Sequence, residues 1–210
     1  MNFELIQPWS TFVMKTKLSP TVLDSMLKIT DEIIETKETD TYDLNAGQIL
    51  QQYFVDEEIL WREQVMDFLM HGCQTYVQQS QKQLLKPERK WMSRMTMMWI
   101  NSQHDNEYFP IHVHEDCSIA ATMYLKIPEF LPSRQTYEYS GGQDGCIEFI
   151  NNTTTDYLHT SPNVQIQPQV GDFFIFPALQ RHQVYPFRTP DGKGERRSVS
   201  FNAEVAPINE

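Results

Sequence analysis

From Trp91 onward the chain breaks into short apolar, β-branched and aromatic runs set between turn residues. The runs fall at 91–101, 111–114, 119–127, 146–150, 164–166, 173–176, 182–185 and 197–205. Asn151-Asn152, Gly171-Asp172 and Pro190-Asp191-Gly192 mark turns between them, and a loop rich in Pro, Ser, Tyr and Gly spans 128–145. Many short strands with frequent turn signals predict an antiparallel sandwich or barrel. No repeat or low-complexity segment interrupts the pattern.

The first 90 residues differ. Residues 12–18 suit a short strand. Ser19-Pro20 then opens a helix, with Ser19 as N-cap and Pro20 at the first helical position, and Val22, Leu23, Met26, Leu27, Ile29, Ile33 and Ile34 continue it at helical spacing. The acidic stretch 35–43 reads as loop. A second helix is expected to begin at Asp56-Glu57-Glu58, where acids suit the positive end of the helix dipole, and to run to Leu84 or Leu85 before Lys86-Pro87 closes it. The expected organisation is one domain over 1–210, with a helical support region (1–90) packed on a β-core (91–210).

A chain of 210 residues can bury a substantial core. With 28 acidic against 17 basic side chains the net charge is −11, so a nucleic-acid partner is not expected. Three separated cysteines without a Cys-x-x-Cys pair suggest a reducing compartment. The start Met-Asn-Phe-Glu-Leu-Ile-Gln-Pro does not resemble a signal peptide, and no run approaches the length needed to span a bilayer. A cytoplasmic location without membrane association is expected.

Three of the six histidines lie among the residues that suggest chemistry. His112, His114 and Asp116 alternate, and on an extended strand side chains two apart share a face. His114 and Asp116 can therefore point at one centre, and His182 follows after Gly171-Asp172-Phe173-Phe174-Ile175-Phe176-Pro177. Two imidazoles and one carboxylate leave three positions open on an Fe(II) ion, the arrangement that iron oxygenases use. A His-x-Asp pair alone more often marks a solvated strand edge. The segment Arg196-Arg197-Ser198-Val199-Ser200-Phe201-Asn202 adds to it, because Arg196, Ser198 and Ser200 share one face of a strand. An Arg and a Ser two apart can hold one carboxylate.

These motifs, with Thr122-Met123-Tyr124-Leu125 and Gly141-Gly142 between them, resemble in their order the 2-oxoglutarate/Fe(II)-dependent oxygenase superfamily. The likeness is closest to a group of oxygenases frequent in phage genomes and more distant to prolyl 4-hydroxylases. It covers about 91–205; Trp9 and the segment 18–34 share it less specifically. The resemblance implies a mainly β fold with N-terminal helices, a double-stranded β-helix of the jelly-roll or cupin-like type. It implies a dioxygenase that couples oxidative decarboxylation of 2-oxoglutarate to hydroxylation of a substrate. Fe(II) and 2-oxoglutarate are the implied cofactors, with ascorbate as a further candidate, and a phage origin would place the protein in the host cytoplasm.

By the same resemblance the iron ligands fall on His114, Asp116 and His182, and the co-substrate residues on Arg196 and Ser198. Tyr124 matches a tyrosine that often hydrogen-bonds the distal carboxylate, and Asn101 is a further candidate contact. Two alternatives stay open. His112 can replace His114 as first ligand, which would put an imidazole where the carboxylate is expected; His114 with Asp116 is preferred because Fe(II) gains from an anionic ligand. Arg197 can replace Arg196, since a one-residue slip reverses every face.

Other features read more plainly. Met92, Met95, Met97 and Met98 suit core packing, Cys117 a small buried residue, and His71 and His104 the surface. The 128–145 loop, with Phe130, Tyr137 and Tyr139, suits a substrate lid or a simple connection. The expected substrate is a small molecule or a peptide residue, prolyl among them. The rival readings are a cupin-like metal enzyme that does not use 2-oxoglutarate and a non-catalytic β-sandwich.

Overall fold

The computed structural model describes residues 11–36, 48–132, 142–151 and 163–208. Trp9, the acidic loop beyond Thr36, Gly141 and the loop tyrosines Tyr137 and Tyr139 lie outside them. The elements in order are β1 (Met14–Lys17), α1 (Pro20–Thr36), β2 (Gln51–Phe54), α2 (Glu57–Arg62), α3 (Met66–Gln83), β3 (Trp91–Gln103) and β4 (Phe109–His112), then β5 (Ile119–Lys126), β6 (Ile147–Ile150), β7 (Asn163–Ile166), β8 (Asp172–Pro177), β9 (His182–Val184) and β10 (Arg196–Pro207). The strands form a major sheet, β1-β8-β5-β10-β3-β2, and a minor sheet, β4-β9-β6-β7. Every pairing is antiparallel. This is the expected double-stranded β-helix, although β1 and β2 draw the first 90 residues into its major sheet.

Alternation along the strands sorts side chains between two cores. Met98 and Ile100 of β3, Met123 and Leu125 of β5, Phe173 and Ile175 of β8, and Val199 and Phe201 of β10 pack with Met26 and Ile29 of α1 and with Leu69 and Cys73 of α3. Phe174, Phe176, Ala120 and Tyr124 face the other way and meet Ile147 and Phe149 of the minor sheet. The functional cavity opens inside this second layer.

The N-terminal helix forms as expected. Ser19 Oγ accepts from Val22 N at 3.3 Å, and Asp56 Oδ1 caps α2 by accepting from Glu58 N at 2.9 Å. The single helix expected from Asp56 to Leu84 or Leu85 is instead two. At the break, Val65 N donates to Leu60 O at 2.9 Å and Gln64 N to Trp61 O at 3.1 Å, with Gln64 left-handed at φ 58°. This is a Schellman ending with Gln where Gly is usual, so nothing in the local sequence announces it. It turns the chain so that Leu60, Val65 and Met66 all reach the core. Leu85, at φ 52°, closes α3 in the same way, through Lys86 N to Gln81 O and Leu85 N to Lys82 O, both at 3.0 Å. Of the methionines, Met95 and Met98 are buried as expected, whereas Met92 is exposed. No helix among the described residues is long and apolar enough to cross a membrane.

Asp172 fastens the edge strand β1 to β8. Its carboxylate has no exposed surface and pairs with Lys15 Nζ at 2.9 Å and Lys17 Nζ at 2.8 Å, while accepting from Gln169 N at 2.9 Å. Burial works to raise its pKa, but the hydrogen bonds from Lys17 and Lys15 outweigh it and hold the group below the ordinary aspartate value. A depressed folded-state pKa contributes stability that is present above the unfolded value and lost as pH falls through the folded one. Asp172→Asn is expected to lose about 1–2 kcal/mol at neutral pH, because the two lysines are free to solvate. Urea melts should show the gap to wild type narrowing as pH falls below the ordinary aspartate value. An unchanged gap would assign the loss to packing.

Candidate metal centre and co-substrate site

β4 and β9 place His112 directly opposite His182 in antiparallel register, and their ring centroids lie 4.1 Å apart. β6 flanks the other side, with Phe149 opposite His182. β4 ends at His112, and the chain then bends so that His114 N donates to Ala178 O at 2.9 Å. The His114 ring stacks on His182 at 5.3 Å and meets His112 edge-on at 5.3 Å. Trp99 stands 5.8 Å behind it. One ring nitrogen from each of His112, His114 and His182 lies within 4.8 Å of the other two.

The hydrogen bonds of these rings suit metal ligation. His112 Nδ1 lies 2.8 Å from Pro110 O and His182 Nδ1 2.9 Å from Gln180 O. A carbonyl accepts only from a protonated nitrogen, so both rings carry hydrogen on Nδ1 and keep the Nε2 lone pair for a metal. Burial lowers all three pKa values, His114 to about 4 and His182 to about 3, with neighbouring imidazoles adding to the effect in those two. Neutral imidazoles with free lone pairs are the donor set that Fe(II) accepts.

Asp116 stands outside this group. Its backbone is left-handed at φ 56° and its side chain is exposed. The two-residue alternation that would put it on one face with His114 needs extended backbone, and the strand has ended at His112. The cluster therefore follows the His112-His114 alternative, with an imidazole in place of the carboxylate.

The co-substrate candidates line the opposite sheet. Asn101, Tyr124 and Ser198 border one cavity of about 170 Å³ together with the three histidines. Tyr124 is kept protonated by burial, which pushes its pKa to about 12, and so remains a hydrogen-bond donor. Arg196 lies just behind the cavity wall with 1 % of its surface exposed. Its Nη1 donates to Gly145 O at 2.6 Å and its Nη2 to Gln103 Oε1, while Nε has no partner. Its guanidinium sits over Phe187 at 5.3 Å and Tyr124 at 5.8 Å. No carboxylate pairs with it among the described residues. Gly145, at φ 70°, leaves no room for a Cβ against the Phe130 ring, and this fixes the carbonyl that Arg196 uses. Arg197 faces the other way: its Nε donates to Glu195 at 2.6 Å and its Nη1 to Asp31 of α1 at 2.5 Å. A buried guanidinium with only neutral acceptors is costly unless an anion joins it, so this pocket fits the distal carboxylate of a keto diacid.

The structure adds residues that the sequence reading missed. Gln103, Trp99 and Met97 share the inner face of β3 with Asn101, and Thr122 and Asn202 continue the inner faces of β5 and β10 beside the expected Ser200. Extending the two-residue period from Asn101 and Ser198 finds them. Gln52, whose Nε2 donates to Asn101 Oδ1 at 2.7 Å, comes from β2, a strand with no clear signal of its own.

A double-stranded β-helix with an imidazole cluster in its mouth and a buried arginine across the cavity defines a non-haem iron oxygenase of the 2-oxoglutarate-dependent class. The family described as "Putative 2OG-Fe(II) oxygenase" matches residues 97–202, just over half of the chain, and the chain belongs to it. No curated protein matches in sequence. Solved structures show the same fold. A Pseudomonas putida prolyl-4-hydroxylase is 11 % identical, over 91 % of this chain and 92 % of its own, with a TM-score of 0.55. A Trichoplax adhaerens prolyl hydroxylase, solved with a hypoxia inducible factor oxygen degradation domain peptide, is 11 % identical over 91 % and 82 %, at 0.53. HygX from Streptomyces hygroscopicus, solved with nickel, 2-oxoglutarate and hygromycin B, is 12 % identical over 92 % and 82 %, at 0.53. Family membership sets aside both the metal enzyme that does not use 2-oxoglutarate and the non-catalytic sandwich.

Removing a true ligand should weaken metal binding more than the 10- to 100-fold typical of residues that only support one. His112→Ala is therefore expected to weaken Mn(II) binding by at least about 100-fold in calorimetry. Asp116→Ala should stay within about threefold of wild type. The reverse order would restore Asp116 as a ligand.

Proposed function

We propose that this oxygenase hydroxylates an uncharged group, with Fe(II) held by His112, His114 and His182 and 2-oxoglutarate anchored by Arg196. The observation that carries this reading is the buried guanidinium, which has no counter-charge among the described residues and lies against Gln103 and Tyr124, two residues that line one cavity with the three imidazoles. Bound iron supplies dioxygen activation coupled to decarboxylation of the keto acid. Three neutral ligands leave its full dipositive charge in place, which favours a dianionic co-substrate. Arg196 receives the distal carboxylate as a bidentate fork, with Ser198 and Tyr124 as hydroxyl donors beside it. Phe176, Ile147 and Val184 exclude water from the reacting end.

The reading of the primary substrate rests on what lines the cavity. Apart from the histidines, the lining residues are carboxamides, hydroxyls and apolar or aromatic groups, without Asp, Glu, Lys or Arg. An ionised group would lose its hydration there without a partner. About 170 Å³ is less than the several hundred typical of sites that enclose a drug-sized ligand. It suits the co-substrate and the reacting end of a substrate whose bulk stays outside. A peptide residue with a neutral side chain, proline included, meets these conditions, and the fold shared with prolyl hydroxylases supports that choice.

Purified protein supplied with Fe(II), ascorbate and 2-oxoglutarate in air is expected to form succinate slowly, and faster with a neutral peptide that enters the cavity. His182→Ala should abolish succinate formation, and Arg196→Met should lower kcat/KM for 2-oxoglutarate by at least about tenfold. Absence of turnover in wild type, or full turnover in His182→Ala, overturns the proposal.

A further inference from the structure

Arg196 is held by two oxygens, and both belong to neutral groups. One is the Gly145 carbonyl, fixed by backbone geometry. The other is Oε1 of Gln103, a side chain with 1 % of its surface exposed. Gln103 is the direct cross-strand partner of Arg196 in the β3–β10 pairing, and it borders the cavity. Its own orientation is fixed, because Nε2 donates to Glu107 O while Oε1 accepts from Arg196 Nη2. Only one assignment of the carboxamide satisfies both neighbours, since a carbonyl cannot donate and a guanidinium cannot accept. Glu107 is in turn fixed, with its side chain accepting from His104 N at 2.8 Å and Leu50 N at 3.2 Å.

We propose that Gln103 is a positioning residue for the co-substrate: it orients the Arg196 guanidinium through a neutral acceptor and so leaves the charge of Arg196 uncompensated for the incoming carboxylate. The inference rests on the co-substrate reading of Arg196 given above. A carboxylate at position 103 would also hold the arginine, but as a buried ion pair competing with 2-oxoglutarate for the same guanidinium. It would also turn an acceptor towards the Glu107 carbonyl in place of a donor. An apolar side chain of similar length would leave the charge free but the fork loosely oriented. The two variants therefore separate charge from orientation.

The experiment measures N-oxalylglycine binding to full-length Mn(II)-loaded protein by calorimetry, with Mn(II) affinity and thermal melts alongside. One hydrogen bond to a charged group corresponds to roughly tenfold or somewhat more in affinity. Gln103→Met is expected to weaken N-oxalylglycine by about three- to tenfold. Gln103→Glu is expected to weaken it by at least about 100-fold, as a buried competing ion pair requires, with Mn(II) affinity unchanged in both. In steady state the losses should appear in KM for 2-oxoglutarate rather than in kcat. Equal weakening in the two variants, or Gln103→Glu binding within threefold of wild type, overturns the role of Gln103. If Gln103→Glu fails to give a cooperative melt, Gln103→Met decides alone, and its binding as wild type does overturns the role. Wild-type protein that binds Mn(II) but not N-oxalylglycine overturns the co-substrate reading itself, and the proposal with it.

Discussion

The charge of Arg196 is taken out of water with uncharged oxygens as its only described hydrogen-bond acceptors. Burying an ion in this way is tolerable only where the surrounding structure fixes it and a partner is available for part of the time. Much of the β-core serves that end. Gly145 must adopt a left-handed backbone to turn its carbonyl inward. β3 must run to Gln103 to supply the second acceptor, and Phe187 and Tyr124 close over the guanidinium faces.

The neighbouring arginine shows how strand alternation divides labour. Arg196 and Arg197 are adjacent on β10, both nearly without exposed surface, yet they meet opposite surroundings. Arg197 is satisfied by Glu195, Asp31 and Thr30 and ties α1 to the major sheet. Arg196 lies behind the cavity-lining Gln103 and Tyr124, and no charged group among the described residues answers it. One pleat separates a stabilising contact from a recognition element.

The sequence made the architecture legible because antiparallel strands, with one face on each core, announce themselves by period and by turn residues. The alternation Arg196, Ser198, Ser200 pointed to one face of one strand, and that face borders the cavity. Local rules failed where the backbone left its regular path. Asp116 looked equivalent to His114 only while the strand was taken to continue, and its left-handed backbone breaks the alternation. The split between α2 and α3 was hidden for a similar reason, since Gln64 occupies a position where glycine is the usual signal. The period that starts at Asn101 places Gln103 on the inner face, but its bond to Arg196 becomes legible only from the cross-strand pairing, and Gln52 lies on a strand without a signal of its own.

The facing of His112 and His182 across β4 and β9 has a consequence for how the barrel closes. β9 has three residues and β4 four, and the pairing already slips in register between Phe109 and His112. Strands this short fix their alignment weakly through backbone bonds alone. Under the proposed ligand set, an ion that joined both imidazoles would select one alignment out of several, and metallation would then be linked to the closure of the minor sheet. On that reading a metal would complete the mouth of the barrel, and its removal would free the short strands to sample other alignments.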